Sequence, residues 1–361
     1  MALERRPAHY GQDYPAIIMS FTYLQKIPTA AEITQQMPMS AKLTQVKASR
    51  DKDILNILKG HDDRLLLIIG PCSADDEDAL CEYVNRLSGL QDKVKDRLIL
   101  IPRIYTNKPR TTGVGYKGML TQPKASEGPN IAQGIKAIRR MHVRVLNESG
   151  LTAADEMLYP GNYPYLEDIL SYVTIGARSV ENQEHRLTVS GLDIPVGLKN
   201  PTSGDLNVLL NSVQAAQIEH TFIYNGWEVK TQGNRLAHCI LRGAIDHHGQ
   251  SIPNYHYEDL IQFTRLYLKR SLVNPAIIVD TNHANSDKNF QEQPRIAEEV
   301  IRSLTKSKDL KKIVKGLMVE SYLKEGRQEP GGKVYGQSIT DPCLGWLDTK
   351  ELILKLADKN K

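Results

Sequence analysis

From Arg64 onward, short uninterrupted apolar runs alternate with segments whose apolar positions recur every three or four residues. Leu65 to Ile69 and Leu98 to Ile101 are runs of the first kind, the signature of strands buried on both faces of a parallel sheet. Segments of the second kind predict amphipathic helices. Asp76 to Leu87 places Leu80, Tyr83, Val84 and Leu87 on one face. Asn130 to Glu148 repeats Ile131, Ile135, Ile138 and Val145 and stops at Gly150. Asp205 is placed to cap a helix carrying Val208, Leu209 and Val213, and Thr349 to cap a last one carrying Leu352, Leu354 and Leu356. Strand followed by helix, many times over, predicts a parallel sheet with helices outside it.

Strand ends narrow the class. Eight candidate strands finish near Cys72, Arg103, Glu156, Arg178, Lys199, Arg242, His283 and Glu320, each in a charged or reactive residue. Eight strand and helix units close into a (β/α)8 TIM barrel, whose active site lies at the C-terminal ends of the strands. Two segments stand outside that count. Thr221 to Tyr224 and Trp227 to Thr231, joined at Asn225-Gly226, predict an inserted β-hairpin, with a barrel strand as the alternative reading. Residues 1 to 60 form an N-terminal arm for subunit contact or regulation, in which Asp51 to Leu58 reads as a short helix; residues 61 to 361 form the catalytic barrel.

Composition excludes more than it identifies. A chain of 361 residues with 40% hydrophobic and 24% charged residues is ordinary globular material. Its net charge of +4 is too small to argue for nucleic acid or a membrane surface. No apolar run reaches membrane-spanning length, and Met1 to Pro15 lacks a signal-peptide core, so a cytoplasmic location is expected. Cys72, Cys81, Cys239 and Cys343 form no Cys-x-x-Cys pair, which argues against a disulfide framework or zinc knuckle.

Candidate chemistry begins after Ile101. Arg103, Lys108, Arg110 and Lys117 crowd one turn, and Pro109 limits the directions in which Lys108 and Arg110 extend. Alone this is a solvated basic turn. Arg178, Lys199 and Arg242 repeat the motif at other strand ends, and cations that converge require an anion among them, such as a phosphorylated carboxylate. Cys72, His283, Glu320 and Asp341 offer sulfur, imidazole and two carboxylates. That donor set suits one divalent ion of manganese, iron, cobalt or zinc.

Gly70-Pro71-Cys72-Ser73, Pro102-Arg103, Lys108-Pro109-Arg110-Thr111-Thr112, Gly176-Ala177-Arg178, Gly197-Leu198-Lys199-Asn200, Leu241-Arg242-Gly243, His283-Ala284-Asn285, Val319-Glu320-Ser321 and Ser338-Ile339-Thr340-Asp341 occur in this order. As a set they resemble the type I 3-deoxy-D-arabino-heptulosonate 7-phosphate (DAHP) synthase family from about Asp51 to Lys350. The resemblance implies condensation of phosphoenolpyruvate with erythrose 4-phosphate, a dimer or tetramer, and an aromatic amino acid as a possible inhibitor. It implies that Cys72, His283, Glu320 and Asp341 bind the metal, with His283 and Asp341 assisting proton movement. Arg103, Lys108, Ala177, Arg178, Lys199 and Arg242 would hold phosphoenolpyruvate, and Pro109, Arg110 and Thr111 the aldose phosphate. Lys108 is the candidate proton donor, and Glu156 would orient water. Gly113 is an extra residue relative to the family's wording, and Tyr116 stands where a Trp is expected.

Two rival readings remain. A 3-deoxy-octulosonate 8-phosphate synthase would take a five-carbon sugar phosphate, but Lys108-Pro109-Arg110-Thr111 differs from the turn expected there. A non-catalytic phosphometabolite sensor would not need all four metal-ligand positions filled.

Overall fold

The computed structural model describes residues 21–110 and 112–360. Eight parallel strands make one sheet: β1 (Leu65–Gly70), β2 (Leu98–Pro102), β3 (Ala154–Glu156), β4 (Tyr172–Ile175), β5 (Val196–Lys199), β6 (Ala237–Leu241), β7 (Ile277–Asp280) and β8 (Val314–Glu320). The spatial order is β2-β1-β8-β7-β6-β5-β4-β3, and a parallel bridge between Arg103 and Ala154 joins its two edges. The sheet is therefore a closed eight-stranded barrel with the strand ends expected from the sequence.

Helices α3 (Glu77–Val94), α4 (Ile131–Ser149), α5 (Gln183–Val189), α6 (Leu206–Gln217), α7 (Tyr257–Leu268), α8 (Gln293–Lys306) and α10 (Trp346–Lys359) follow the strands. After β3 a 3-10 turn, Pro160–Tyr165, takes the helix's place, and the short α9 (Lys308–Ile313) precedes β8. Side chains at the helix starts satisfy the free backbone N–H groups: Asp76 accepts from Ala79, Asn130 from Gln133 and Asp205 from Asn207 and Val208. Gly150 ends α4 in the left-handed conformation that glycine alone adopts cheaply. The hairpin is present as two exposed antiparallel strands, Thr221–Tyr224 and Trp227–Lys230, outside the barrel.

Two apolar layers result. Outside the sheet, Leu67, Leu87, Ile135, Val213 and Phe263 belong to the layer between strands and helices. Inside it, Leu66, Ile68, Ile99, Ile101, Ile240, Ile278 and Met318 form a packed column. Ile54, Ile57 and Leu58 of α2 (Ala41–Leu58) join that column. Two local expectations shift. The helix read at Asp51–Leu58 is the end of an 18-residue helix capped by Ser40; of its residues only Leu43, Ile54, Ile57 and Leu58 are buried, too sparse a pattern to reveal the earlier turns. Thr349 lies inside α10, where its hydroxyl donates to the Gly345 carbonyl at 2.7 Å; Gly345 is the cap. The arm's α1 (Ala30–Gln36) is tied down by Arg139 of α4, which is buried, paired with Asp168 at 2.7 Å and bonded to the Met37 carbonyl at 2.8 Å. Among the described residues no helix is long and apolar enough to cross a membrane.

One imidazole sits within the barrel. His238 on β6 meets the Tyr172 hydroxyl at 2.7 Å and the Leu236 carbonyl at 2.8 Å, and burial pushes its pKa down to about 4. The unfolded chain takes up this proton first as pH falls, so the stability linked to neutral His238 is complete above about 6.5 and is lost toward pH 4, a total of about 3 kcal/mol. In His238→Gln, the fall of Tm between those pH values should be shallower than in the native protein. Equal slopes would contradict this.

Candidate active site

The ends of β2 to β7 each deliver a polar side chain to the cleft at the C-terminal end of the barrel, and the loop beyond β8 adds Asp341. The lining of the cleft includes Arg103, Lys108, Pro109, Arg110, Glu156, Ala177, Arg178, Lys199, Arg242, His283 and Asp341. Thr111 lies outside the described residues. Seven Lys and Arg side chains line the cleft against two carboxylates, Glu156 and Asp341. Glu320 and Asp280 lie fully buried beside them.

Gly70 allows β1 and β2 to approach at the rim, because a Cβ there would strike the Arg103 carbonyl. Beyond it, Cys72 is fully buried, its N–H pointing at Cys343 Sγ 3.4 Å away. Cys72 Sγ, a Glu320 oxygen and an Asp341 oxygen all lie within 4.8 Å of one another. Lys108 Nζ reaches that sulfur at 3.1 Å and the Cys72 carbonyl at 2.8 Å. Burial pushes the Cys72 thiol up, and Glu320 adds to this while Lys108 opposes it. For Asp341, burial is outweighed by Lys108 and Lys288, the latter 3.1 Å away, and its carboxyl is held low. Three groups of this kind could hold a divalent cation.

His283 lines the same cleft but stands outside that tight cluster. Its Nδ1 is 2.9 Å from Asp280 Oδ2, which also pairs with Lys199 Nζ at 2.9 Å. Burial raises the Asp280 carboxyl, but His283 and Lys199 outweigh it and hold the group well below the usual range. An imidazole whose one nitrogen faces a carboxylate is arranged like a metal-ligating histidine with its supporting acid. His283 also has φ of +52°, an uncommon value for a non-glycine residue.

The cations divide into two kinds. Arg103 is paired with an acid: it lies 2.7 Å from Glu320, is bonded to the Pro71 carbonyl at 3.2 Å and sits 3.9 Å above the Tyr105 ring, while its NH1 meets the Met318 sulfur at 3.6 Å. Arg242 is not, for its buried NH1 has no hydrogen-bond partner among the described residues. Burial lowers its pKa; Asp280 opposes this and Arg178 reinforces it. Two neighbouring guanidinium groups, one with a bare buried nitrogen, form a ready seat for an anion.

The extra Gly113 is absorbed locally. With φ of +73° it closes a turn whose N–H donates to the Arg110 carbonyl at 2.9 Å, and Arg110 Nε donates to the Tyr116 carbonyl at 2.7 Å. Arg110 still lines the cleft. Sequence reasoning passed over Asp280, Tyr105 and Lys288. Asp280 follows Ile278 by two positions and so shares its inward face, a signal that period-two counting along β7 could have exposed.

The family model described as the DAHP synthetase I family matches residues 35–354. The chain is 38% identical over 342 residues to a phospho-2-dehydro-3-deoxyheptonate aldolase of Haemophilus influenzae, covering 92% of this chain and 91% of that one. It is 39% identical over 338 residues to the Phe-sensitive enzyme of that name from Escherichia coli, covering 91% and 93%. Further relatives carry the words Tyr-sensitive and Trp-sensitive. The structure of the Francisella tularensis phospho-2-dehydro-3-deoxyheptonate aldolase superposes with a TM-score of 0.87 at 31% identity, covering 94% of this chain and 98% of that one. Since the matched span runs from α1 into α10 and includes every strand that lines the cleft, this chain belongs to the DAHP synthetase I family.

Proposed function

We propose that the protein condenses phosphoenolpyruvate, D-erythrose 4-phosphate and water to 3-deoxy-D-arabino-heptulosonate 7-phosphate and phosphate, the entry step of the shikimate pathway to the aromatic amino acids. The observation that carries this reading is the buried, partnerless Arg242 nitrogen beside Arg178, in a cleft with far more cations than acids. An uncompensated buried ion costs several kcal/mol, roughly, and a substrate bearing both phosphate and carboxylate removes that cost. Family membership and the names of the relatives support the choice of substrates.

In this reading Arg103, Lys108, Ala177, Arg178, Lys199 and Arg242 hold phosphoenolpyruvate, while Pro109, Arg110 and Thr111 hold the aldose phosphate. The convergence of sulfur and two carboxylates supports a cation site formed by Cys72, His283, Glu320 and Asp341. One divalent ion bound there, of manganese, iron, cobalt or zinc, supplies Lewis acidity toward an aldehyde oxygen. C3 of phosphoenolpyruvate attacks the aldehyde carbon, and the aldehyde π pair becomes an alkoxide. Lys108 gives that oxygen a proton. Burial pulls the Lys108 ammonium down, and the Cys72 sulfur 3.1 Å away opposes this, with the balance above the ordinary lysine value. Water, oriented by Glu156, adds at the C2 cation that the attack leaves and returns one proton to Lys108; the bond from C2 to the phosphate oxygen then breaks, and phosphate leaves with the electron pair and takes the proton of the C2 hydroxyl as the ketone forms. His283 and Asp341 assist proton movement. Four cations fixed on separate strands align the reactants and stabilise charge without reorganising.

Relatives named for their sensitivity to Phe, Tyr or Trp support an aromatic amino acid as inhibitor. The arm, residues 1 to 60, serves subunit contact or regulation in a homodimer or homotetramer. Exposed Phe21, Tyr23 and Leu24 support that role. Phosphorylated substrates that do not cross membranes place the enzyme in the cytoplasm.

Loss of phosphoenolpyruvate absorbance should require erythrose 4-phosphate and should stop with EDTA. Consumption with arabinose 5-phosphate instead would select the five-carbon rival, and none with either sugar the sensor. Cys72→Ala should bind no stoichiometric metal and show no activity while its circular dichroism is unchanged; full activity would remove Cys72 from the site. In calorimetry, Arg242→Ala should bind phosphoenolpyruvate about tenfold or more weakly, since a charged hydrogen bond is lost. Native affinity in that variant would contradict the assignment.

A further inference from the structure

β3 ends in two successive carboxylates on opposite faces of the sheet. Glu156 lines the cleft. Asp155 lies behind the strand, toward α4, and its buried carboxylate grips the beginning of the loop that leaves β2. Oδ1 accepts the backbone N–H of Thr106 at 2.8 Å and that of Glu156 at 2.7 Å, and Oδ2 accepts the Thr106 hydroxyl. The Thr106 carbonyl accepts the N–H of Leu120 at 3.2 Å, and Lys108 N–H donates to the Lys117 carbonyl at 3.1 Å. Both ends of the segment from 106 to 120 therefore meet at Thr106. From α4, His142 places Nε2 3.6 Å from Asp155 Oδ2, and its ring has no hydrogen-bond partner of its own.

We infer that Asp155 is a positioning residue for the condensation: it fixes the turn from which Lys108, Pro109 and Arg110 reach the cleft. This rests on the reading of the cleft given above. A carboxylate that takes three donors makes charge-assisted bonds, about twice as strong as neutral ones, so its removal frees the root of the loop. Arg178, Lys199 and Arg242 come from β4, β5 and β6 or just beyond them, and make none of these bonds. Of the residues proposed for phosphoenolpyruvate only Lys108 rides on this loop, whereas all of those proposed for the aldose phosphate do, so loosening it weakens the aldose phosphate more than phosphoenolpyruvate and reaches Lys108 mainly through kcat.

Steady-state kinetics and amide hydrogen exchange on Asp155→Ala, Asp155→Asn and Thr106→Val test this. Asp155→Ala should raise KM for the aldose phosphate and lower kcat, each about tenfold or more, with KM for phosphoenolpyruvate held within about threefold. Exchange should quicken from 106 to 118 and keep its protection in β4, β5 and β6. Asp155→Asn, whose amide oxygen still accepts both backbone N–H groups, should recover most of the loss, and Thr106→Val, which keeps the backbone bonds but loses the hydroxyl's bonds to Asp155 and from Asn107 Nδ2, should fall between. Parallel rises in both KM values, exchange quickened throughout the barrel, or an Asn variant as impaired as Ala would overturn the inference. Should the native chain condense nothing, the reading of the cleft fails; unchanged exchange at 106 to 118 in all three variants would refute the clamp itself.

Discussion

Buried cations paired with buried acids on the cleft floor, with one guanidinium, that of Arg242, left unpaired among the described residues, form the constraint around which the cleft is built. Arg103 and Lys199 each have a buried acid, Glu320 and Asp280, at ion-pair distance. Those pairs fix the depth and orientation of the cleft floor. Among the described residues neither the buried Arg242 nor the exposed Arg178 has a carboxylate at ion-pair distance, and this pair stands at the mouth where a ligand enters. A closed barrel can sustain this because each cation is set on a different strand and the strands cannot separate without breaking two apolar layers at once.

The same economy governs the acids. Asp280 serves two partners, the Lys199 ammonium and the His283 imidazole, from one carboxylate. Asp155 and Glu156, adjacent in the chain, are sent to opposite sides of the sheet, one to the scaffold and one to the cleft. Charge and support are thus separated by a single step of backbone.

What the sequence made legible follows from which physical signals are local. Barrel strands buried on both faces read as unbroken apolar runs, so the ends at Cys72, Arg103, Lys199 and Glu320 stood out where the runs met charge. Asn225-Gly226 marked the hairpin because both residues adopt positive φ there. The Asp280 pairing was hidden, since Lys199 and Asp280 are 81 residues apart and meet only through the order β5-β6-β7. The first turns of α2 were hidden for the opposite reason: they bury little, and so carry little periodicity.

That helix has a consequence for the handling of the chain. Ile54, Ile57 and Leu58 complete the column of side chains inside the strands, so the arm is covalently continuous with the barrel's own interior. A truncation chosen at the apparent border near residue 60 would leave the lower layer of Leu66, Ile99 and Ile278 facing solvent. Any shortened form of the chain has to retain α2 entire, because its last turns close the base of the same strands whose far ends form the cleft.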